Sequence, residues 1–277
     1  MKLAVASPTG LCFGVRRAIG QLERALAEYG GVCALGSPIH NPQEVARLAE
    51  MGLDVAGDVG GVPDGAVAFV RAHGVPSAEL ECLRAKCRVV VDGTCPFVRT
   101  AQKRAESLAR EGYVVVVFGD PSHPEVKGIL GCMGREALVV SGAGEIDSGR
   151  RFGRVGILSQ TTQNEASLAE VVSKFVFLAD EIKVYNTICR ATIERQESIK
   201  NLAAEVDGVV VIGGRNSANT RKLVEISESL GAPTLWVEHA GEMDWGWAGV
   251  RQTIGVAAGG STPDWLINEL TEKLKRL

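Results

Sequence analysis

The sequence predicts an α/β fold of mainly parallel sheets, on three observations. Short continuous apolar runs recur along the chain without polar alternation, as strands buried on both faces require. Between them lie segments whose apolar residues return at the 3.6-residue period of an amphipathic helix. The joining turns are rich in glycine: the 277 residues include 33 glycines and only 5% aromatic residues. Strands and helices alternating in this way form parallel sheets covered by helices. With 45% apolar and 23% charged residues the chain can bury a substantial core. Its length allows one large domain or two to three small ones.

Taken in order, the strand-like runs are Leu3-Ala6, Val32-Leu35, Ala66-Val70, Val89-Val91, Tyr113-Phe118, Val155-Leu158, Ile182-Tyr185, Val209-Ile212 and Thr253-Ala257. The helix after Cys12 places Val15, Ala18, Ile19, Leu22, Ala25, Leu26 and Tyr29 on one side, and Gly30-Gly31 ends it as a C-cap. Asn164 caps a second helix, with Val171, Val172, Phe175 and Val176 on its apolar side. No strong internal repeat is visible in the sequence itself.

Composition excludes several classes of function. The formal charge is −3, with acidic and basic residues interspersed, so nothing concentrates Lys and Arg as a nucleic-acid footprint would. Arg16-Arg17 reads as a solvated helix face. Leu3-Ala6 before Ser7-Pro8 is too short for the apolar core of a secretory signal. No apolar run reaches the roughly 18 residues that cross a bilayer. The expectation is a cytoplasmic protein with no membrane partner. Seven cysteines, an odd number in a reducing compartment, argue against a disulfide framework.

Chemistry gathers at the carboxyl ends of strands in open α/β sheets. The turns there are Ser37-Pro38-Ile39-His40-Asn41-Pro42, Arg71-Ala72-His73-Gly74-Val75, Pro121-Ser122-His123-Pro124-Glu125, Ser159-Gln160-Thr161-Thr162-Gln163, Asn216-Ser217-Ala218-Asn219-Thr220 and Gly259-Gly260-Ser261-Thr262. Three of the four histidines occupy them. Ser, Thr and Asn beside glycine at helix N-termini suit an anion, because unpaired backbone N–H groups and the helix dipole point there. Ordinary N-capping explains any one of these turns taken alone. Gly213-Gly214 is not a dinucleotide-binding glycine pattern. Glu125, two residues past His123, reads as a loop position. Beside bound phosphates its pKa would rise and keep it protonated, as a general acid needs; elsewhere it is a solvated glutamate.

Cys12, Cys95 and Cys189 each lie where a strand-like run gives way to a helix, so three small α/β units could each offer one thiol to a common centre. Such widely separated thiols do not fit structural zinc, which uses close pairs. A three-cysteine iron–sulfur cluster would leave one iron open to act as a Lewis acid on a substrate oxygen. Unconnected buried thiols are the alternative the residues leave open. Cys33, Cys82, Cys87 and Cys132 read as buried packing residues.

Read together and in order, these motifs resemble the 4-hydroxy-3-methylbut-2-enyl diphosphate reductase (IspH/LytB) family. They are Gly10-Leu11-Cys12-Phe13-Gly14-Val15 with Arg17-Ala18, His40-Asn41, Arg71-Ala72-His73-Gly74-Val75, Asp92-Gly93-Thr94-Cys95-Pro96, His123-Pro124-Glu125-Val126, Gln160-Thr161-Thr162, Ile188-Cys189-Arg190-Ala191-Thr192 with Arg195-Gln196, Asn216-Ser217, Asn219, and Gly260-Ser261 with Pro263-Asp264. The resemblance implies a pseudo-threefold trefoil of three α/β domains around a central iron–sulfur cluster: residues 14–94, residues 95–188, and residues 1–13 with 189–277. It implies one 4Fe–4S cluster on Cys12, Cys95 and Cys189 with one open iron. It places the diphosphate of an allylic substrate among His40, His73, His123, Thr162, Ser217, Asn219 and Ser261, in one closed cavity. Glu125, Thr161 and His123 would handle protons. A redox protein such as ferredoxin or flavodoxin would supply two electrons, and the products would be isopentenyl and dimethylallyl diphosphate, at the last step of the non-mevalonate isoprenoid route.

Ala218 departs from the family pattern, in which a second serine is common; Leu11 and Gly93 look like packing changes. Three other readings compete: a quinolinate-synthase-like iron–sulfur dehydratase, a zinc phosphohydrolase and an iron–sulfur sensor. Carboxylate substrates call for arginines, whereas histidine, serine and asparagine turns favour a diphosphate. A sensor would need a DNA- or partner-binding element, and none is evident.

Overall fold

The computed structural model describes residues 1–277. Strands and helices alternate from the start, except that β4 follows β3 directly: β1 (Lys2–Val5), α1 (Phe13–Tyr29), β2 (Val32–Leu35), α2 (Pro42–Glu50), β3 (Leu53–Ala56), β4 (Val67–Val70), α3 (Ser77–Lys86) and β5 (Val89–Asp92). Next come α4 (Pro96–Arg110), β6 (Val114–Phe118), α5 (Pro124–Leu130), β7 (Leu138–Val140), β8 (Phe152–Ser159), α6 (Glu165–Val176) and β9 (Ala179–Tyr185). The chain closes with α7 (Arg190–Glu205), β10 (Gly208–Ile212), α8 (Ala218–Ser229), β11 (Thr234–Val237), α9 (Trp245–Gly249), β12 (Thr253–Ala258) and α10 (Asp264–Leu274).

The strands form three four-stranded sheets, β3-β2-β4-β5, β7-β6-β8-β9 and β1-β12-β10-β11. Every pairing is parallel. All three follow one plan. The first and third strands in chain order are central, the second is one edge and the fourth is the other. In the last sheet the fourth place is taken by β1, from the beginning of the chain. The repeat that the sequence conceals is therefore explicit in the topology.

By contacts the chain forms two compact units. One comprises Met1–Arg16, Ile39–Leu48 and Arg190–Leu277; the other comprises Arg17–Pro38 and Ala49–Cys189. In the first, alternate residues of β10 face opposite sides, as strand geometry dictates. Val210 and Ile212 pack with Leu266, Leu270 and Leu274 of α10. Val209 and Val211 pack with Ile199 of α7 and Leu223 of α8. In the second unit Val115 and Val117 of β6 meet Leu108 of α4 and Ile129 of α5, while Leu35 and Val70 pack with Leu83 of α3.

The predicted helix ends are present. Gly30 takes φ +71° and its N–H bonds Leu26 O at 2.9 Å. Asn164 Oδ1 accepts from Ser167 N at 2.8 Å. Burial on both faces holds for central strands such as β2, β4 and β10, but not for β1, β5 and β9. Those three are sheet edges, with no strand beyond them. Cys33 is buried on β2, whereas Cys82, expected to be buried, is exposed, because α3 buries only Leu83. No helix is long and apolar enough to cross a membrane.

Candidate active site

Each of the three cysteines predicted to act together follows an edge strand and immediately precedes a helix. Cys12 precedes α1, Cys95 occupies the N-cap position of α4, and Cys189 precedes α7. All three are half-buried, and none of the seven cysteines is in a disulfide. Their backbones are held in one way. Cys12 N donates to Gly260 O at 3.0 Å, Cys95 N to Ala72 O at 2.9 Å and Cys189 N to Thr161 O at 2.9 Å. Each acceptor lies in the turn after the neighbouring strand of the same sheet (β12, β4 and β8), at or next to Ser261, His73 or Thr161. Sheet geometry thus couples every thiol to a turn that carries a predicted site residue.

In the second unit, His123 caps α5, its Nδ1 accepting from Glu125 N at 3.2 Å. A neutral His123 ring therefore carries its proton on Nε2, an assignment from the bonding pattern. His73 meets it edge to face, with ring centroids 5.3 Å apart. Glu125 lies in the first turn of α5, not in a loop, and is only 1% exposed. Its two carboxylate oxygens accept from Thr161 N at 2.6 Å and from the Thr161 hydroxyl at 2.8 Å. Thr161 is therefore one hydrogen bond from the acid and one from the Cys189 backbone. Gln160, buried beside it, donates to Thr162 Oγ1 at 2.8 Å and accepts from Asp120 N at 3.1 Å, tying together two of the turns.

In the first unit, Ser217 caps α8 and accepts from Thr220 N at 3.2 Å. Ser261 Oγ lies 3.1 Å from Ser217 Oγ and 3.4 Å from the carbonyl oxygen of His40. That carbonyl lies against Gly214, where a Cβ would collide with it, so glycine is required there. Asn219, in the first turn of α8, has a buried Oδ1 without a hydrogen-bond partner. With the amide turned over, the same position offers an N–H. Sequence reasoning gave Asn41 and Glu44 no role. Asn41 Oδ1 caps α2 on Glu44 N at 2.9 Å, and the Glu44 carboxylate takes bonds from Arg47 and from Trp265 Nε1. The asparagine–x–x–glutamate spacing is the available signal, since it is a capping-box pattern.

The sequence profile of the LytB protein family matches residues 3–275. The chain belongs to the LytB family. Curated relatives named 4-hydroxy-3-methylbut-2-enyl diphosphate reductase include those of Geobacter sulfurreducens, 43% identical over 99% of this chain and 97% of the relative, and Aquifex aeolicus, 42% identical over 99% and 96%. A solved structure of (E)-4-hydroxy-3-methyl-but-2-enyl diphosphate reductase, described as the terminal enzyme of the non-mevalonate pathway, is 41% identical with a TM-score of 0.74, covering 100% of both chains. The reductase structure from Plasmodium falciparum, at 24% identity and a TM-score of 0.89 over 100% of this chain and 87% of that one, shares the fold. The family is one of iron–sulfur oxidoreductases. These relatives carry the reductase name, not that of the dehydratase alternative.

For this LytB chain the electrostatics of Glu125 matter most. Burial raises its carboxyl from 4.5 to about 7, against the opposing effect of the two Thr161 donors. The folded chain then holds this proton more tightly than the unfolded chain. The corresponding stability is fully present below about pH 4.5 and is lost as pH rises through about 7, a difference of about 3 kcal/mol. Glu125→Gln removes that contribution. Urea unfolding of the apoprotein at several pH values between 4 and 8 should therefore show a steeper decline in wild type than in the variant. Parallel declines would contradict a carboxyl protonated by burial.

Proposed function

We propose that the chain reduces (E)-4-hydroxy-3-methylbut-2-enyl diphosphate to isopentenyl and dimethylallyl diphosphate, consuming two electrons and two protons and releasing the hydroxyl as water. The observation that carries this reading is the buried Glu125–Thr161 pair, bonded through Thr161 to the backbone of Cys189. The donor set fits an iron–sulfur cluster: three half-buried cysteines outside any disulfide, each at a strand-to-helix turn. Cys12, Cys95 and Cys189 would hold one 4Fe–4S cluster and leave one iron without a protein ligand. When bound, that group supplies the two electrons and a Lewis acid for the departing hydroxyl.

The protein's own part is positioning and proton supply. A carboxyl with a pKa of about 7 keeps about half of its population protonated at neutrality, so Glu125 can donate a proton to the leaving hydroxyl. Thr161 fixes the carboxyl by bonding both of its oxygens, and the Thr161 hydroxyl and His123 are the other candidate proton carriers. His40, His73, His123, Thr162, Ser217, Asn219 and Ser261 would hold the diphosphate through charge-assisted and helix-terminal hydrogen bonds. Ala218 supplies no hydroxyl. Thr220 does not replace it, because its side chain is buried against Gly213 and Gly259; backbone N–H groups at the start of α8 remain.

Residues 14–94, 95–188, and 1–13 with 189–277 would act as three domains, a division supported by one four-stranded sheet of the same plan within each. A small ferredoxin or flavodoxin in the reducing cytoplasm would serve as electron donor. Steady-state kinetics test the anion site. His40→Ala and Ser261→Ala should raise KM about tenfold or more, the equivalent of one charged hydrogen bond to phosphate, with a smaller change in kcat. Unchanged KM in both variants would remove the diphosphate from these turns.

A further inference from the structure

We infer that Arg195 is a positioning residue for the Cys12 thiolate, which rests on the reading of Cys12 as a cluster ligand. Arg195 lies on α7 and is only 5% exposed. Its Nη2 donates to Gly10 O at 2.8 Å and its Nη1 to Ala191 O at 2.9 Å. Gly10 stands two residues before Cys12, and Ala191 two residues after Cys189. One planar guanidinium therefore ties the chain entering the first thiol to the helix that leaves the last.

The segment has little other freedom. Gly10 holds φ +77°, and a Cβ there would sit 2.5 Å from Asp264 Oδ1. Cys12 N is fixed by Gly260 O at 3.0 Å. Arg16 also reaches this segment, at Leu11 O and 3.0 Å from Asp264, but its side chain is 57% exposed, and exposed ion pairs hold weakly. Arg195 is the buried clamp. A lysine keeps the charge but, as a point donor on a flexible stem, cannot span both carbonyls as the fork does. A cluster held by three thiolates has no spare ligand, so loosening one should speed its loss.

The experiment uses anaerobically purified holoprotein and follows iron release to a chelator for wild type, Arg195→Lys and Arg195→Gln. The thermal midpoint of each apoprotein and the reduction potential of each cluster are measured alongside. Both variants should release iron about tenfold faster than wild type, the scale of one charged hydrogen bond. The apoprotein midpoint should fall in Arg195→Gln, which leaves buried Gly10 O without its charged donor, and stay close to wild type in Arg195→Lys, which can still reach one carbonyl. The potential should fall only in Arg195→Gln, which takes a buried positive charge from the vicinity of an anionic cluster. Wild-type release from Arg195→Lys would overturn the two-carbonyl clamp and leave charge alone. Release from Arg195→Lys that merely follows a falling apoprotein midpoint would overturn it as well. A wild-type protein that binds no cluster would instead overturn the underlying reading of Cys12, whatever occupies position 195.

Discussion

Replacing Glu125 by Gln is expected to slow turnover by about 10²–10⁴, roughly 3–5 kcal/mol of barrier. Gln keeps the size of the side chain, and its carbonyl can still accept from Thr161 N, the bond made at 2.6 Å by the native carboxylate. What it lacks is a carboxylic proton. Because the native carboxyl titrates near 7, wild-type activity should decline as pH rises above that value, when the acid form is lost. The residual activity of Glu125→Gln should not show this decline. Iron content and substrate affinity should persist, since neither the cysteines nor the turns proposed to hold the diphosphate change. Near-normal turnover in the variant would shift the proton donor to His123 or Thr161.

The second large effect concerns the thiols. Cys12→Ala, Cys95→Ala and Cys189→Ala should each lower cluster iron and abolish turnover if, as proposed, the cluster has only these three protein ligands and cannot spare one. Cys33→Ala, Cys82→Ala, Cys87→Ala and Cys132→Ala should keep both iron and activity. Cys33 is the most sensitive control: it is buried on β2, and its thiol pKa is raised by burial, which disfavours the thiolate a metal needs. Loss of iron from any of these four would show that the thiols have been sorted wrongly.

The central strands were legible because apolar runs such as Val209-Ile212 must be covered on both faces, which leaves a continuous pattern. The edge strands β3, β7 and β11 were not. Each is only three or four residues long, and Asp54 interrupts the apolar run in β3. With one flank open an edge needs less apolar surface and its signal fades, although the edges β1, β5 and β9 kept enough of theirs to be read. Glu125 was misplaced in a loop for a related reason. His123-Pro124 reads as a turn, yet proline at the first helical position is also how a helix starts, here with histidine as the cap. The threefold plan escaped sequence comparison because only its topology repeats. The turns after β2, β6 and β10 lead to His40, His123 and Ser217, three positions of equivalent place with different side chains. The cysteines show the same plan with one residue type, which is why they alone revealed it.

The reaction proposed for this chain is the reductive dehydroxylation of an allylic diphosphate. Its most direct test is anaerobic incubation of the cluster-loaded protein with (E)-4-hydroxy-3-methylbut-2-enyl diphosphate and a chemical reductant, with products identified by mass spectrometry and NMR. Isopentenyl and dimethylallyl diphosphates should form together, with two electrons consumed per substrate. An intact, reduced cluster that leaves the substrate unchanged, or releases phosphate from it, would exclude that reaction.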